Sequence, residues 1–280
     1  MRNDGIDQAL AGNGRRGTQW RRIALVLAAL GLAFAACGND RVTDPLRRDR
    51  QVTVTTAAPS SSATPATATA ATVTGSAVEP TRPLSVRSDH DLVVFTRPEA
   101  EPLNVLWARN QFGSPLALLV AHLGAGAWED WYEVLLPGRP NGRTAWVRAQ
   151  DVTLHEVDHE VEVDLASRTL RVLERGKEVL VTPVAVGSPE SPTPTGRFSL
   201  TDKLDTGRPD GPYGPFALGL SARSDALTEF AGGDAQVGIH GTNVPSSIGQ
   251  PVSHGCIRVP NEVAVQLSRM LALGTPVTVR

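Results

Sequence analysis

The sequence predicts a mainly β chain made of a small antiparallel barrel, then a second β-rich unit that ends in a short helix. Short apolar runs with two-residue alternation, separated by Gly, Pro and Asn turns, recur from Leu84 to Leu154 and again from Val157 onward. Asn141-Gly142 marks a tight hairpin between two of those runs. Only Asn261 to Leu273 spaces its apolar residues as a helix does, with Asn261 as expected N-cap and Gly274 as expected stop.

The 280-residue length accommodates two domains and real cores. Net charge is −2, the positive residues are nearly all Arg, with Lys only at Lys177 and Lys203, and no basic stripe appears beyond the N-terminus, which argues against nucleic acid as a partner. No apolar run reaches the roughly 20 residues that span a bilayer.

Residues 1–37 carry a basic pair, Arg21-Arg22, an apolar stretch from Ile23 to Ala36, and small residues before Cys37. That order is the pattern of a secretory signal. Phe34-Ala35-Ala36-Cys37 resembles a bacterial lipobox, with Phe34 where Leu is usual. The resemblance implies acylation of Cys37 and an extracytoplasmic lipoprotein anchored in the membrane. A plain signal peptide cut near Ala36, or an uncleaved anchor, remains open, and Arg21-Arg22 alone is weak evidence for a twin-arginine signal.

Residues 38–83 form a polar linker dominated by Thr, Ala, Ser and Pro, which lacks the apolar content for a core. Its reach would be roughly 40 to 140 Å, between coil and extended limits.

In 84–155 the expected strands are Leu92 to Thr96, Leu116 to His122, Trp131 to Leu136 and Thr144 to Arg148. The run from Trp131 to Pro137 and then Gly142 to Val147 resembles bacterial SH3-like modules of exported wall enzymes. Trp107, Trp128, Trp131, Tyr132 and Trp146 concentrate here. In so small a barrel they are more often core than a binding platform for wall glycan or peptide.

In 157–280, Val161 to Leu165 and Thr169 to Leu173 read as a hairpin, and Val179 to Val186, Phe198 to Leu200 and Pro276 to Val279 as further strands. Thr201 to Gly238 is rich in Gly, Pro and Asp and reads as loops over a cleft.

The chemistry concentrates in Ile239-His240-Gly241-Thr242 and Ser253-His254-Gly255-Cys256-Ile257-Arg258. A thiol is only slightly ionised at neutral pH, and a neighbouring imidazole can take its proton. Cys256 has two candidate partners. His254 would share its face on an extended strand, whereas His240 reaches it only if the intervening loop folds back. Glycines at 241 and 255 permit close backbone approach, and N–H groups near Gly255 and Cys256 could receive an oxyanion. Arg258 sets a permanent cation beside the sulfur, suited to steadying a thiolate or holding a substrate carboxylate. A lone Cys is commonly a small buried hydrophobe, but two His, one Cys, one Arg and several Gly so close together are hard to explain that way. A zinc site built on His240, His254 and Cys256 is the sharper rival, and Arg258 would oppose the dication.

His-Gly-Thr followed by Ser-His-Gly-Cys-Ile-Arg is similar to the signature of L,D-transpeptidases. Pro194-Thr195-Gly196-Arg197-Phe198 and Tyr213 to Leu220 look like upstream family segments. The resemblance covers about Val157 to Arg280 and implies a β-sandwich-like catalytic domain with its site under a lid. It implies Cys256 as nucleophile, His240 as general base, the Gly241 carbonyl as the group orienting that imidazole, and Ser253, His254, Gly255 and Arg258 around the substrate. It further implies acyl transfer on peptidoglycan stem peptides through a thioester, with no metal or organic cofactor, and acylation of the same sulfur by carbapenems. Water as acceptor would make an L,D-carboxypeptidase, and a protein amine a protein-to-wall anchoring enzyme. A non-catalytic wall-binding lipoprotein is the rival from another class.

Overall fold

A computed structural model of the protein describes residues 74–230 and 232–280. The expected signal segment with Cys37, and the linker up to residue 73, lie outside the described residues.

The first sheet is built from β1 (Gly75–Val78), β2 (Leu84–Arg87), β3 (Leu92–Phe95), β4 (Pro102–Leu106), β5 (Ala117–Gly126), β6 (Trp131–Leu135), β7 (Thr144–Arg148) and β8 (Thr153–Glu156). Its order is β4-β3-β7-β6-β5-β2-β8, with β1 paired to β5. The long β5 serves three partners in turn: 117–119 pair with β2, 120–123 with β6 and 123–126 with β1. Alternation sends Val86, Leu92, Val94, Leu118, Val120, Val134 and Val147 into one core. Phe95, Trp131 and Trp146 form a separate cluster. Arg148 caps it, its guanidinium 5.1 Å from the Phe95 ring and 5.5 Å from the Trp131 ring. Trp131 and Trp146 are thus buried, whereas Trp107 is 72% exposed.

The expected linker reached residue 83, yet Gly75–Val78 is a strand, in register from Gly75 against Gly126 to Val78 against Leu123. Its weak apolar content hid it, because its stability comes from pairing with β5 rather than from its own buried face. β2, β4 and β8 also lie outside the strands the sequence predicts; β4 and β8 are largely exposed strands held by pairing with β3 and β2.

The second unit contains β9 (His159–Asp164), β10 (Thr169–Glu174), β11 (Lys177–Pro183), β12 (Val186–Gly187), β13 (Gly196–Asp205), β14 (Phe216–Arg223), β15 (Gln236–His240), β16 (Pro251–Ser253), β17 (Ile257–Arg258), α1 (Asn261–Met270) and β18 (Pro276–Val279). Its main sheet runs β11-β10-β9-β18-β13-β14-β15-β17, with β12 and β16 as a separate parallel pair. The hairpin at 161–173 is present, with Asp164 opposite Thr169. β13 changes partner midway: 196–199 pair with β18 and 200–205 with β14. The sheet therefore bends there and wraps around one core, in which Phe198, Leu200, Leu218, Ile239, Ile257, Leu267 and Val277 meet. The buried face of α1, Ala264 and Leu267, closes that core.

Two corrections concern the 201–238 region and the helix. The Gly, Pro and Asp content correctly marked loops at 206–215 and 224–235, but β14 lies between them and β13 extends to Asp205. Phe216 to Ala222 is a strand because it is sandwiched between β13 and β15, a tertiary effect that outweighs its neighbours' turn chemistry. The cap of α1 is Pro260, with no side-chain hydrogen bond, and the helix ends at Met270. Asn261 is employed elsewhere, as shown below.

The two sheets are joined by polar contacts. Asp202 is 1% exposed, and its carboxylate accepts from Thr201 Oγ1 at 2.8 Å, Gln236 Nε2 at 3.0 Å and Asn110 Nδ2 at 2.5 Å. Asn110 precedes β5 in the first sheet, so a buried carboxyl group of the second is satisfied in part from outside it.

Candidate active site

β15 and β17 run parallel, with Ile239 opposite Ile257 and His240 opposite Arg258. Both isoleucines are fully buried in the core. Alternation therefore sends Gly238 and His240 on β15, and Arg258 on β17 with Cys256 immediately before that strand, to the opposite face. Residues far apart in the loop order become neighbours because the 241–256 excursion returns to the same sheet edge. Arg258 and Ala185 lock that edge, exchanging N–H to O bonds of 2.9 Å in both directions.

His240 is 5% exposed, and its Nδ1 lies 2.6 Å from the carbonyl oxygen of Gly241. A carbonyl only accepts, so Nδ1 carries the proton and Nε2 keeps a free lone pair. Burial holds the imidazole down to a pKa of about 4, the Gly241 bond works against that shift, and the Arg258 cation adds to it. The ring is therefore neutral at physiological pH. Burial pushes the Cys256 thiol above its ordinary range, while the Gly238 N–H and the Arg258 charge both favour thiolate. Arg258 thus acts oppositely on the two groups, disfavouring imidazolium and favouring thiolate. The Arg258 Nε is buried and has no hydrogen-bond partner, which equips it to receive an anion.

The expectation that His254 and Cys256 share a strand face is corrected. β16 stops at Ser253, and Gly255 has φ of +110°, a conformation only glycine adopts readily. The chain turns there, leaving His254 exposed while Cys256 remains partly buried. Ser253 shapes that turn: its hydroxyl donates to the Cys256 carbonyl at 2.5 Å and accepts the Gly255 N–H at 3.2 Å. The Ser253 hydroxyl and the Gly255 N–H, both expected at the substrate, are therefore engaged with the protein itself. Among the described residues, no group of three or more His, Cys, Asp or Glu is arranged to hold a metal ion.

The profile of the YkuD family, the L,D-transpeptidase catalytic domain, matches residues 158–279. The L,D-transpeptidase YkuD of Bacillus licheniformis is 34% identical over 165 residues, which cover 58% of this chain and 84% of that protein. The chain belongs to this family. YkuD of Bacillus subtilis is 31% identical over 52% of this chain and 73% of its own length, and YqjB of the same organism 35% over 44% and 71%.

Three side chains of this YkuD-family domain escaped the sequence reading. The Tyr213 ring meets His240 edge-on, with centroids 4.9 Å apart and planes at 65°. Its phenol is raised by burial and by the charge that Cys256 would carry, with the Arg258 cation working against that shift. As one of only two tyrosines, lying within a family-like segment, it offered a signal. Phe230 packs on His254, with centroids 5.3 Å apart, and nothing in its local sequence marked it.

Asn261 is the third. Its Oδ1 accepts the buried Thr242 N–H at 2.7 Å, and its Nδ2 reaches the Pro209 carbonyl at 3.4 Å. Gly241 and Gly214 make room for it, since a Cβ on either would collide with Asn261 Oδ1. Asn261 thereby pins the backbone that carries the carbonyl bonded to His240. Asn261→Ala should lower stability by about 1–3 kcal/mol, the cost of stranding a buried N–H, with Asn261→Asp retaining most of it. Urea unfolding of the two variants checks this.

Proposed function

We propose that this protein is an exported L,D-transpeptidase that cross-links peptidoglycan stem peptides through a thioester on Cys256. The observation that carries the proposal is the pairing of β15 with β17, which sets His240, its Nε2 unprotonated, on the face that bears Cys256 and Arg258. The names of the Bacillus relatives support the same activity.

In the first step the Cys256 sulfur attacks the carbonyl that joins the L-centre of a stem diamino acid to terminal D-Ala, and His240 Nε2 takes the thiol proton. Collapse of the tetrahedral intermediate breaks the C–N bond, and the D-Ala amine leaves with that proton. In the second step an amine of a neighbouring stem attacks the thioester. His240 accepts the amine's proton and the sulfur leaves to be reprotonated. The Gly241 carbonyl keeps the imidazole in the right tautomer throughout. Arg258 holds the anionic end of the donor or steadies the thiolate. The Cys256 N–H is the natural oxyanion donor, because that of Gly255 is engaged by Ser253. His254 and Phe230 form an exposed lip for the peptide. Because the thiol is raised and the imidazole neutral, proton transfer accompanies attack rather than preceding it as a stored ion pair.

The remaining assignments belong to the same proposal. Residues 1–37 export the chain and Cys37 is lipidated, which anchors it to the membrane facing the wall. Residues 38–83 act as spacer, 84–155 as an SH3-like module and 157–280 as the catalytic domain.

The decisive experiment is mass spectrometry of wall fragments after incubation with a tetrapeptide-stem substrate. Dimers joined through third-position residues with release of D-Ala are expected. Tripeptide stems alone would replace this reading with an L,D-carboxypeptidase, and protein-linked stems with an anchoring enzyme.

A further inference from the structure

The turn at 137–142 of the first unit reaches the rim of the candidate active site. The Gly138 N–H donates to the Ser221 carbonyl at 3.0 Å. The Asn141 side chain accepts the Arg223 N–H at 2.9 Å and donates to its carbonyl at 2.7 Å, mimicking a strand partner, and also meets Asp225 Oδ1 at 3.1 Å. The Arg139 guanidinium donates to three carbonyls: Ser224 at 3.0 Å, Leu227 at 2.5 Å and Asp234 at 2.9 Å.

These carbonyls flank Phe230, the ring lying on His254 two residues before Cys256. The base of the 224–235 excursion is closed by the Ser224 N–H to Ala235 O bond at 3.0 Å and the Arg223–Asp234 ion pair at 2.5 Å. Ala235 sits there at φ +55°, in the left-handed region that residues with a Cβ rarely adopt. Above that base Phe230 and Gly233 exchange backbone bonds of 3.0 Å within the excursion, and among the described residues the hydrogen bonds that reach 224–230 from outside 224–235 come from Arg139 and Asn141. Three carbonyls in one fork suit a planar guanidinium and do not suit a single ammonium.

We infer that Arg139, held in the first unit, is a positioning residue for the substrate rim: it fixes residues 224–230 so that Phe230 and His254 present one lip to the donor peptide. The inference rests on the assignment of the Cys256 face as the acyl-transfer site. Arg139 touches neither sulfur nor imidazole, so its loss bears on binding rather than on bond making. The first unit is then part of the binding site and not merely a tethered neighbour.

The test uses the whole protein with Arg139→Ala and Arg139→Lys. Hydrogen exchange of residues 224–230 should quicken by at least tenfold in Arg139→Ala, with Arg139→Lys intermediate. On a tetrapeptide stem, KM should rise about five- to tenfold with kcat within about twofold. Alkylation of Cys256 by iodoacetamide, too small to need the lip, should keep its rate. Unchanged exchange at 224–230, or a fall in kcat at constant KM, overturns the inference. If the unaltered protein turns over no stem, the assigned activity fails instead, while exchange still decides whether Arg139 orders the rim.

Discussion

Cys256→Ala should abolish both turnover and covalent loading, the largest effect expected of any single change in this protein. Wild type incubated with a tetrapeptide stem should gain the mass of the acyl tripeptide as D-Ala departs. The alanine variant should gain nothing, and its turnover should fall by a factor on the order of 10⁴ or more, since the described residues hold no other thiol to form the thioester. Cys256 is the one free cysteine among the described residues, and peptide mapping separates an adduct there from one at Cys37. Fold damage should be slight, because Cys256 stands outside the packed hydrophobic cluster that includes Ile257, and alanine is the smaller residue. A stem adduct on the alanine variant, or undiminished turnover, would sink the thioester route.

His240→Gln should slow acylation by about 10²–10⁴-fold, the usual worth of a positioned general base. It also carries a second signature. The His240 pKa of about 4 lies below the ordinary value of 6.5. The unfolded chain therefore binds more protons than the native one between those limits. Stability is fully present above about pH 6.5 and declines as pH falls toward 4, by roughly 3 kcal/mol at 1.36 kcal/mol per unit. Urea unfolding at pH 7, 5.5 and 4.5 should show that decline in wild type and a shallower one in His240→Gln. In kinetics, kcat/KM of wild type should lose activity on the acid side only near pH 4, where the imidazole becomes protonated. An acid limb near 6.5 would mean the ring is solvated in the free enzyme and that burial has been given too much weight.

Much of the fold was legible locally. The hairpin at 161–173 announces itself through alternation, because half-buried strands repeat every two residues, and β3, β6 and β7 as short apolar runs bounded by turn residues. β1 did not, because Gly75 to Val78 carries little apolar surface of its own and is recruited by the far end of β5. The residues around Cys256 were visible as a cluster since they fall within one short stretch. Asn261 was misread as a cap because its residue type suits a cap equally well. Its partners, Thr242 and Pro209, come from segments whose approach no local pattern records.

Composition, alternation and one dense run of His, Gly, Cys and Arg were enough to determine a mainly β protein with one short helix and a family-type catalytic domain. These are properties of residues close in the chain, where covalent spacing sets geometry. Tertiary structure alone decided which histidine shares the face of the sulfur, because that depends on the parallel return of β17 onto β15 and on the turn at Gly255 that leaves His254 in solvent. It also decided that Arg139, in the turn between β6 and β7, meets the carbonyls of Ser224, Leu227 and Asp234, since those contacts join segments some 85 to 95 residues apart in the chain.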